Sequence, residues 1–217
     1  SNGDETIKGL GGDDTLIGGR GVNTLQGGEG DDLYKFDAAG GTNTVSDLEG
    51  TDTLSFRDGS GSAWTAFDVS RGSGALNVSF GLTSVAATLG AGGQMTFETP
   101  IYGASLGTLK IASGLEGDLL GGSMIVGASG ADLITAHGNN NLLAGGAGND
   151  TLTSAGNGDL YIGGKGDDTL INTGSGWSRY VFKPGDGNDT IDDAGGAWGY
   201  PWATNGDTII IDTQGGA

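Results

Sequence analysis

Asp132, Asp150 and Asp168 stand eighteen residues apart, each closing a glycine-rich stretch: GASGAD, GGAGND and GGKGDD. Short carboxylates held in glycine turns are good ligands for hard cations. The same arrangement recurs near the N-terminus, where Asp14 closes GLGGDD, Asp32 closes GGEGDD eighteen residues later, and Asp52 follows in TDTLSF. Between them, Asn23, Asn43, Asn141 and Asp159 hold the corresponding place, and Asp189 (GDGNDTI) and Asp207 (GDTIII) continue the series. Of the 27 acidic residues 22 are Asp, a bias that solubility alone does not explain, since Glu would serve as well. Other chemistries have little to build on. With one histidine and no cysteine, neither a His₂ zinc site nor a well-supported Ser-His-Asp triad can be argued. Pairs of acids abound, but the repeat already accounts for them, so a glycosidase has weak support.

The carboxylates are positioned by a nine-residue period. It runs GASGADLIT (127–135), AHGNNNLLA (136–144), GGAGNDTLT (145–153), SAGNGDLYI (154–162) and GGKGDDTLI (163–171), and earlier GLGGDDTLI (9–17), GGRGVNTLQ (18–26) and GGEGDDLYK (27–35). The sixth place is Asp or Asn. The eighth is Leu, Ile or Tyr: Leu16, Leu25, Tyr34, Ile134, Leu143, Leu152, Tyr161 and Leu170. Each array ends alike, with Tyr34 and Phe36 after Asp32 and Tyr180 and Phe182 after Ser178, then a step of eleven to Asn43 or Asp189. Glycines at places one, two and four allow positive φ and close approach of backbones. The pattern predicts a turn of about six residues and a strand of about three, with one apolar side chain facing inward. Two nonapeptides make one coil, and coils stack as two parallel sheets around a thin apolar stripe.

Turns on one edge then lie eighteen residues apart in sequence and about 4.8 Å apart in space. Carboxylates at that distance repel by several kcal/mol at an effective dielectric of about 20. A Ca²⁺ ion between consecutive turns converts that repulsion into coordination, drawing on side chains and turn carbonyls for its roughly 6–8 oxygens. Spacing sorts the ligands. Asp132, Asp150 and Asp168 share one edge, and Asn141 and Asp159 the opposite, weaker one. Asp14 and Asp32 pair in the first array with Asp52 extending them, Asn23 and Asn43 lie with Glu5 on the weaker edge, and Asp189 and Asp207 close the second array. Asp13, Asp31 and Asp167, at the fifth place, read as solvated turn charges, with a ligand role as the alternative.

Composition sets the outer bounds. Forty-eight glycines with 3 prolines exclude collagen, and a formal net charge of −18 argues against a nucleic-acid partner. No apolar run reaches the roughly 20 residues that span a bilayer. Without cysteine no disulfide can staple the chain, which leaves a metal as a candidate staple. A strict period argues against the disorder that glycine and charge would otherwise favour.

GGEGDDLYK, GGAGNDTLT and GGKGDDTLI resemble the RTX nonapeptide family, whose repeat GGxGxDxUx forms a Ca²⁺-binding parallel β-helix, and YVFKPGDGNDTI (180–191) looks like its array ending. The resemblance covers about 1–56 and 117–211 and implies an all-β, parallel β-roll binding several Ca²⁺ ions. It implies export from a Gram-negative bacterium by a type I route, in a chain loose at low Ca²⁺ that folds outside the cell. Ser123 and Ser178 depart from the pattern, as do GAS, AHG and SAG in place of GGx, and His137 stands where a turn glycine belongs. The chain starts mid-repeat and stops just after an array ending, as expected of a piece of a longer protein.

The expected organisation is a first array at 1–56, a β-rich bridging segment at 57–116 and a second array at 117–217. In the bridge, ALNVSF, VAATL, QMTF and LKI read as strands packed against both arrays, with a carbohydrate-binding module as the alternative. Trp198, Tyr200 and Trp202, in the insert at 194–205, read as a cap over the open strand stack, with sugar stacking as the alternative. The expected function is a non-enzymatic, Ca²⁺-folded region of a secreted protein. Two rivals stand beside it: a surface-layer or adhesin segment binding cell-surface glycan or itself, and the carrier part of a protease, lipase or toxin.

Overall fold

A computed structural model describes residues 3–37, 40–57, 67–72, 75–90, 93–97, 106, 108–112, 117, 121–193 and 207–212. Most of the bridge's turns and the aromatic insert with Trp198, Tyr200 and Trp202 lie outside these residues. Every regular element described is a β-strand. The chain forms two compact units, Ser1–Ile111 and Ala112–Ala217.

The first unit contains β1 (Glu5–Gly11), β2 (Thr15–Ile17), β3 (Val22–Glu29), β4 (Leu33–Asp37), β5 (Gly41–Ser46), β6 (Thr53–Arg57), β7 (Phe67–Gly72), β8 (Ala75–Phe80), β9 (Thr83–Thr88), β10 (Gln94–Phe97) and β11 (Thr108–Ile111). β1, β3, β5 and β9 are consecutive parallel neighbours in one sheet. β2, β4, β6 and β10 are so in the other. Alternate strands of the chain thus go to alternate sheets, which is the coil that a nine-residue repeat requires. The apolar column runs Leu16–Tyr34–Leu54–Met95 on one sheet and Ile7–Leu25–Val45 on the other.

The period ends before β9 and β10, yet both strands add to the arrays in parallel. The bridge therefore prolongs both sheets of the first array. Beyond them the sense changes, with β8 and β7 antiparallel beside β9 and β11 antiparallel beside β10. Phe36 stacks on Phe56 (centroids 5.5 Å apart), and Phe56 meets Phe80 edge-on at 4.8 Å. These rings supply apolar bulk where the repeat stops supplying it.

The second unit contains β12 (Ser123–Val126), β13 (Leu133–Ala136), β14 (Leu142–Ala147), β15 (Thr151–Ser154), β16 (Leu160–Lys165), β17 (Thr169–Asn172), β18 (Arg179–Phe182), β19 (Thr190–Asp193) and β20 (Thr208–Ile211). Even-numbered strands form one parallel sheet and odd-numbered strands the other. Leu143 lies beside Tyr161 and Leu152 beside Leu170, the register of eighteen that the period predicts. Between the sheets lie Ile125, Ile134, Leu143, Leu152, Tyr161, Leu170 and Tyr180, all buried. One stripe is not the whole core, however. Leu142, Ala144, Leu160 and Ile162, at places seven and nine, are also buried, so β14 and β16 bury both faces. β15 and β17 carry Thr151, Thr153 and Thr169 at the same places and keep one face partly exposed.

Candidate metal centre

Each turn is built so that its sixth residue points at the coil before it. The Asp132 N–H donates to Asp150 Oδ1 (2.8 Å), the Asp150 N–H to Asp168 Oδ1 (2.8 Å), and the Asp168 N–H to Asp189 Oδ1 (2.9 Å). In the first unit Asp14 donates to Asp32 Oδ1 (2.8 Å) and Asp32 to Asp52 Oδ1 (3.1 Å). One carboxylate oxygen of each pair therefore serves the strand ladder. The other oxygen is left over: Asp14, Asp32, Asp52, Asp150, Asp168 and Asp207 each bury an Oδ2 with no hydrogen-bond donor. A buried polar atom without a partner is costly, and a buried charge more so.

Glycine at place one is dictated by this crowding. A methyl group on Gly145 would collide with both Asp150 Oδ2 and Gly163 O, and one on Gly9 with Asp14 Oδ2 and Gly27 O. The carboxylate of one coil and the first carbonyl of the next thus face one spot. At place two the cause is different, since Gly146 has φ 104° and its missing side chain would strike Ala128 O.

Burial raises the Asp168 carboxyl to about 6 from its ordinary 3.8; a backbone bond opposes this, and the charges of Asp150, Asp189 and Asp186 add to it. Asp52 is likewise pushed up to about 6, first by burial and then by Asp47, Asp32 and Asp31. Burial also raises Asp32 and Asp150. All-oxygen donors, carboxylates on consecutive turns and carbonyls aimed at the same spot suit a hard cation. A Ca²⁺ here would be held by Asp14 and Asp32 with Asp52 in the first unit, and by Asp132, Asp150 and Asp168 in the second. Asp189 extends this second edge through its bond from Asp168.

On the opposite edge Asn141 and Asp159 are satisfied from within the protein. Asp159 Oδ1 accepts from the Asn141 N–H (2.8 Å) and from Asn141 Nδ2 (3.0 Å), while Asp159 Oδ2 accepts from Ser154 Oγ (2.7 Å). Asn141 Nδ2 also reaches His137 O and Gly138 O, and Asn141 Oδ1 accepts from the Ser123 N–H. Asp207 continues this edge, not the Asp189 one, accepting from the Ser178 N–H (2.8 Å). In the first unit Asn23 Nδ2 donates to Asn43 Oδ1 (3.0 Å), with Glu5 beside Asn23 in register.

Two features lie beyond the sequence reading. The fifth-place side chains are exposed but engaged: Asp31, Asp167 and Asn188 donate their N–H groups to Asp13, Asn149 and Asp167 Oδ1 at 2.9–3.1 Å. This ladder runs opposite to the sixth-place one, and only the recurrence of Asp or Asn at place five hinted at it. The second feature is Asp47. It stands at place one of DLEGTD, where the repeat has glycine, and its carboxylate gathers with those of Asp32 and Asp52, all three buried.

Residues 1–34 and 121–152 match the RTX calcium-binding nonapeptide repeat family, in 4 copies. No curated protein matches the chain. Among solved structures the chain is similar to the extracellular lipase LipA from Serratia marcescens, at 25% identity and a TM-score of 0.36, covering 100% of this chain and 32% of the lipase. The chain carries RTX calcium-binding nonapeptide repeats, and they are stacked as a parallel β-roll.

Proposed function

We propose that this chain is the Ca²⁺-folded region of a protein exported from a Gram-negative bacterium by the type I route. Its function lies in linkage, because ion binding that requires the stacked turns adds its free energy to folding. The observation that carries this reading is the row of buried carboxylate oxygens without donors, at Asp14, Asp32, Asp52, Asp150 and Asp168. Without a cation these charges repel, and a thin core has little left to offset an ordering entropy of about 1–2 kcal/mol per residue. With Ca²⁺ the same oxygens hold consecutive coils together. The proposed rolls are 1–56 and 117–217, with 57–116 prolonging the first.

The RTX β-roll is a structural, non-catalytic type of domain. Any enzymatic or toxic activity of the secreted protein then belongs to other parts of its chain. Among the described residues no helix is long and apolar enough to cross a membrane. Circular dichroism during a Ca²⁺ titration tests the reading. The β signal should grow cooperatively with Ca²⁺, vanish on chelation and respond weakly to Mg²⁺. A compact β signal that ignores both Ca²⁺ and chelator would sink it.

A further inference from the structure

The first array ends in a turn unlike those before it. At place one, where Gly27 and Gly163 present carbonyls to the preceding carboxylate, residue 47 is an aspartate that presents its side chain. Asp32, Asp47 and Asp52 are only 2%, 4% and 1% exposed. Ligand oxygens of the three lie within 4.8 Å of one another. Asp32 Oδ2 and Asp52 Oδ2 have no hydrogen-bond donor. Asp32 Oδ2 and Asp47 Oδ2 both crowd the same face of Gly27, so they are aimed at common ground. Asp47 is held in place by Tyr34 Oη–H (2.5 Å) and the N–H groups of Gly27 and Gly28 (3.1 Å each) on Oδ2, and by the Glu49 N–H (3.3 Å) on Oδ1. Among the described residues the other partners of the trio are backbone N–H groups, and none is a lysine or arginine.

We propose that Asp32, Asp47 and Asp52 form one three-carboxylate cation site that closes the first array, distinct in charge from the two-carboxylate sites between ordinary turns. The proposal rests on the calcium-binding reading above and adds a residue and a rank order to it. Affinity of oxygen sites for Ca²⁺ rises with the number of charged ligands and with their rigidity. Three buried carboxylates, one fixed by a tyrosine and three amides, make this the tightest site of the chain and the one most favourable to a trivalent ion. The second array holds a diluted copy. Tyr180 Oη–H donates to Asp193 Oδ2 (2.7 Å) just as Tyr34 does to Asp47, and Asp207 accepts from residue 178 as Asp52 does from residue 32. Residue 178 is serine where 32 is aspartate, so one negative charge is missing.

Calorimetric Ca²⁺ titration of the unaltered chain and of D47N, together with Tb³⁺ luminescence, tests this. D47N should lose one ion from the tightest class, or weaken that class about tenfold or more, while the remaining sites stay. Tyrosine-sensitised Tb³⁺ emission at the first equivalents should fall in Y34F, which leaves all three carboxylates in place. Crystals of the unaltered protein grown with Tb³⁺ give a readout that does not depend on a variant folding: an anomalous peak among the three carboxylates. Peaks between other turns and none here would overturn the proposal, as would D47N with unchanged stoichiometry and tightest class. If the unaltered chain bound no Ca²⁺ at all, the calcium reading itself would fall instead.

Discussion

The two edges of the second array face each other across the same apolar stripe and solve one problem differently. Along Asp132, Asp150 and Asp168, each N–H is met by the next coil's carboxylate, ending on Asp189, and Asp150 and Asp168 keep a buried oxygen with no donor. Along Asn141 and Asp159, the same backbone bond is made, but amide and hydroxyl hydrogens fill the remaining acceptors. Asp150 and Asp168 are left short of donors, whereas the Asn141–Asp159 pair brings its own. On the proposed calcium reading, an array with both keeps part of its turn structure independent of Ca²⁺, and the metal-dependent edge folds against a partner already inclined to stack. Asn141 at the sixth place and Ser154 at the first act together, since both donate to the Asp159 carboxylate.

The largest separation of the two edges should come from D150N. The amide keeps Oδ1 for the Asp132 N–H but removes the buried charge, so the metal-free chain gains stability. Ca²⁺ loses two shared sites, and the midpoint of a circular dichroism titration should rise roughly tenfold or more. D159N should leave the number of bound ions unchanged by calorimetry, and loss of an ion would erase the contrast. S154A comes next: it strips the donor from Asp159 Oδ2 and should cost about 1–3 kcal/mol in chemical denaturation at saturating Ca²⁺.

Acidity sharpens the contrast with a smaller effect. Asp168 and Asp52 hold protons in the fold up to about 6, against an ordinary 3.8. In chelator, stability from this source is complete below 3.8 and is lost as pH rises through about 6. Lowering pH should therefore strengthen the β signal without Ca²⁺ and weaken apparent Ca²⁺ affinity, because protons and ions compete for the same oxygens. A Ca²⁺ midpoint flat across that window would break the assignment. The smallest effect is expected of D13N. An exposed amide oxygen accepts the Asp31 N–H as well as a carboxylate does, and melting temperature should reflect less than about 0.5 kcal/mol.

Much of this was legible because a period is a register. Spacing of eighteen placed Tyr161 beside Leu143 and Leu170 beside Leu152, and put Asp150 between Asp132 and Asp168. Glu5 was likewise placed with Asn23 and Asn43. What spacing could not show was which hydrogens fill which oxygens. Ser154 read as a damaged glycine, whereas it is the donor that completes Asp159. Asp47 escaped because the sixth place was followed and the first was assumed to be glycine. The aperiodic bridge gave strands but not their pairing, since β9 and β10 join the arrays through backbone register that no side-chain pattern announces. Burial of both faces of β14 and β16 was written in NLLA and DLYI, where DTLT and DTLI carry threonine, but one inward residue per strand was expected throughout.

The stripe of Leu, Ile and Tyr repeats every nine residues, whereas neighbouring strands pair at eighteen. Grease alone cannot tell a correct stack from one threaded half a coil out of step, since either would set an apolar side chain on an apolar side chain. The unequal edges can. Sliding by nine would lay Asn141 under Asp150 and part its amide from Asp159, so the dissimilar turns act as a key that rejects wrong threading.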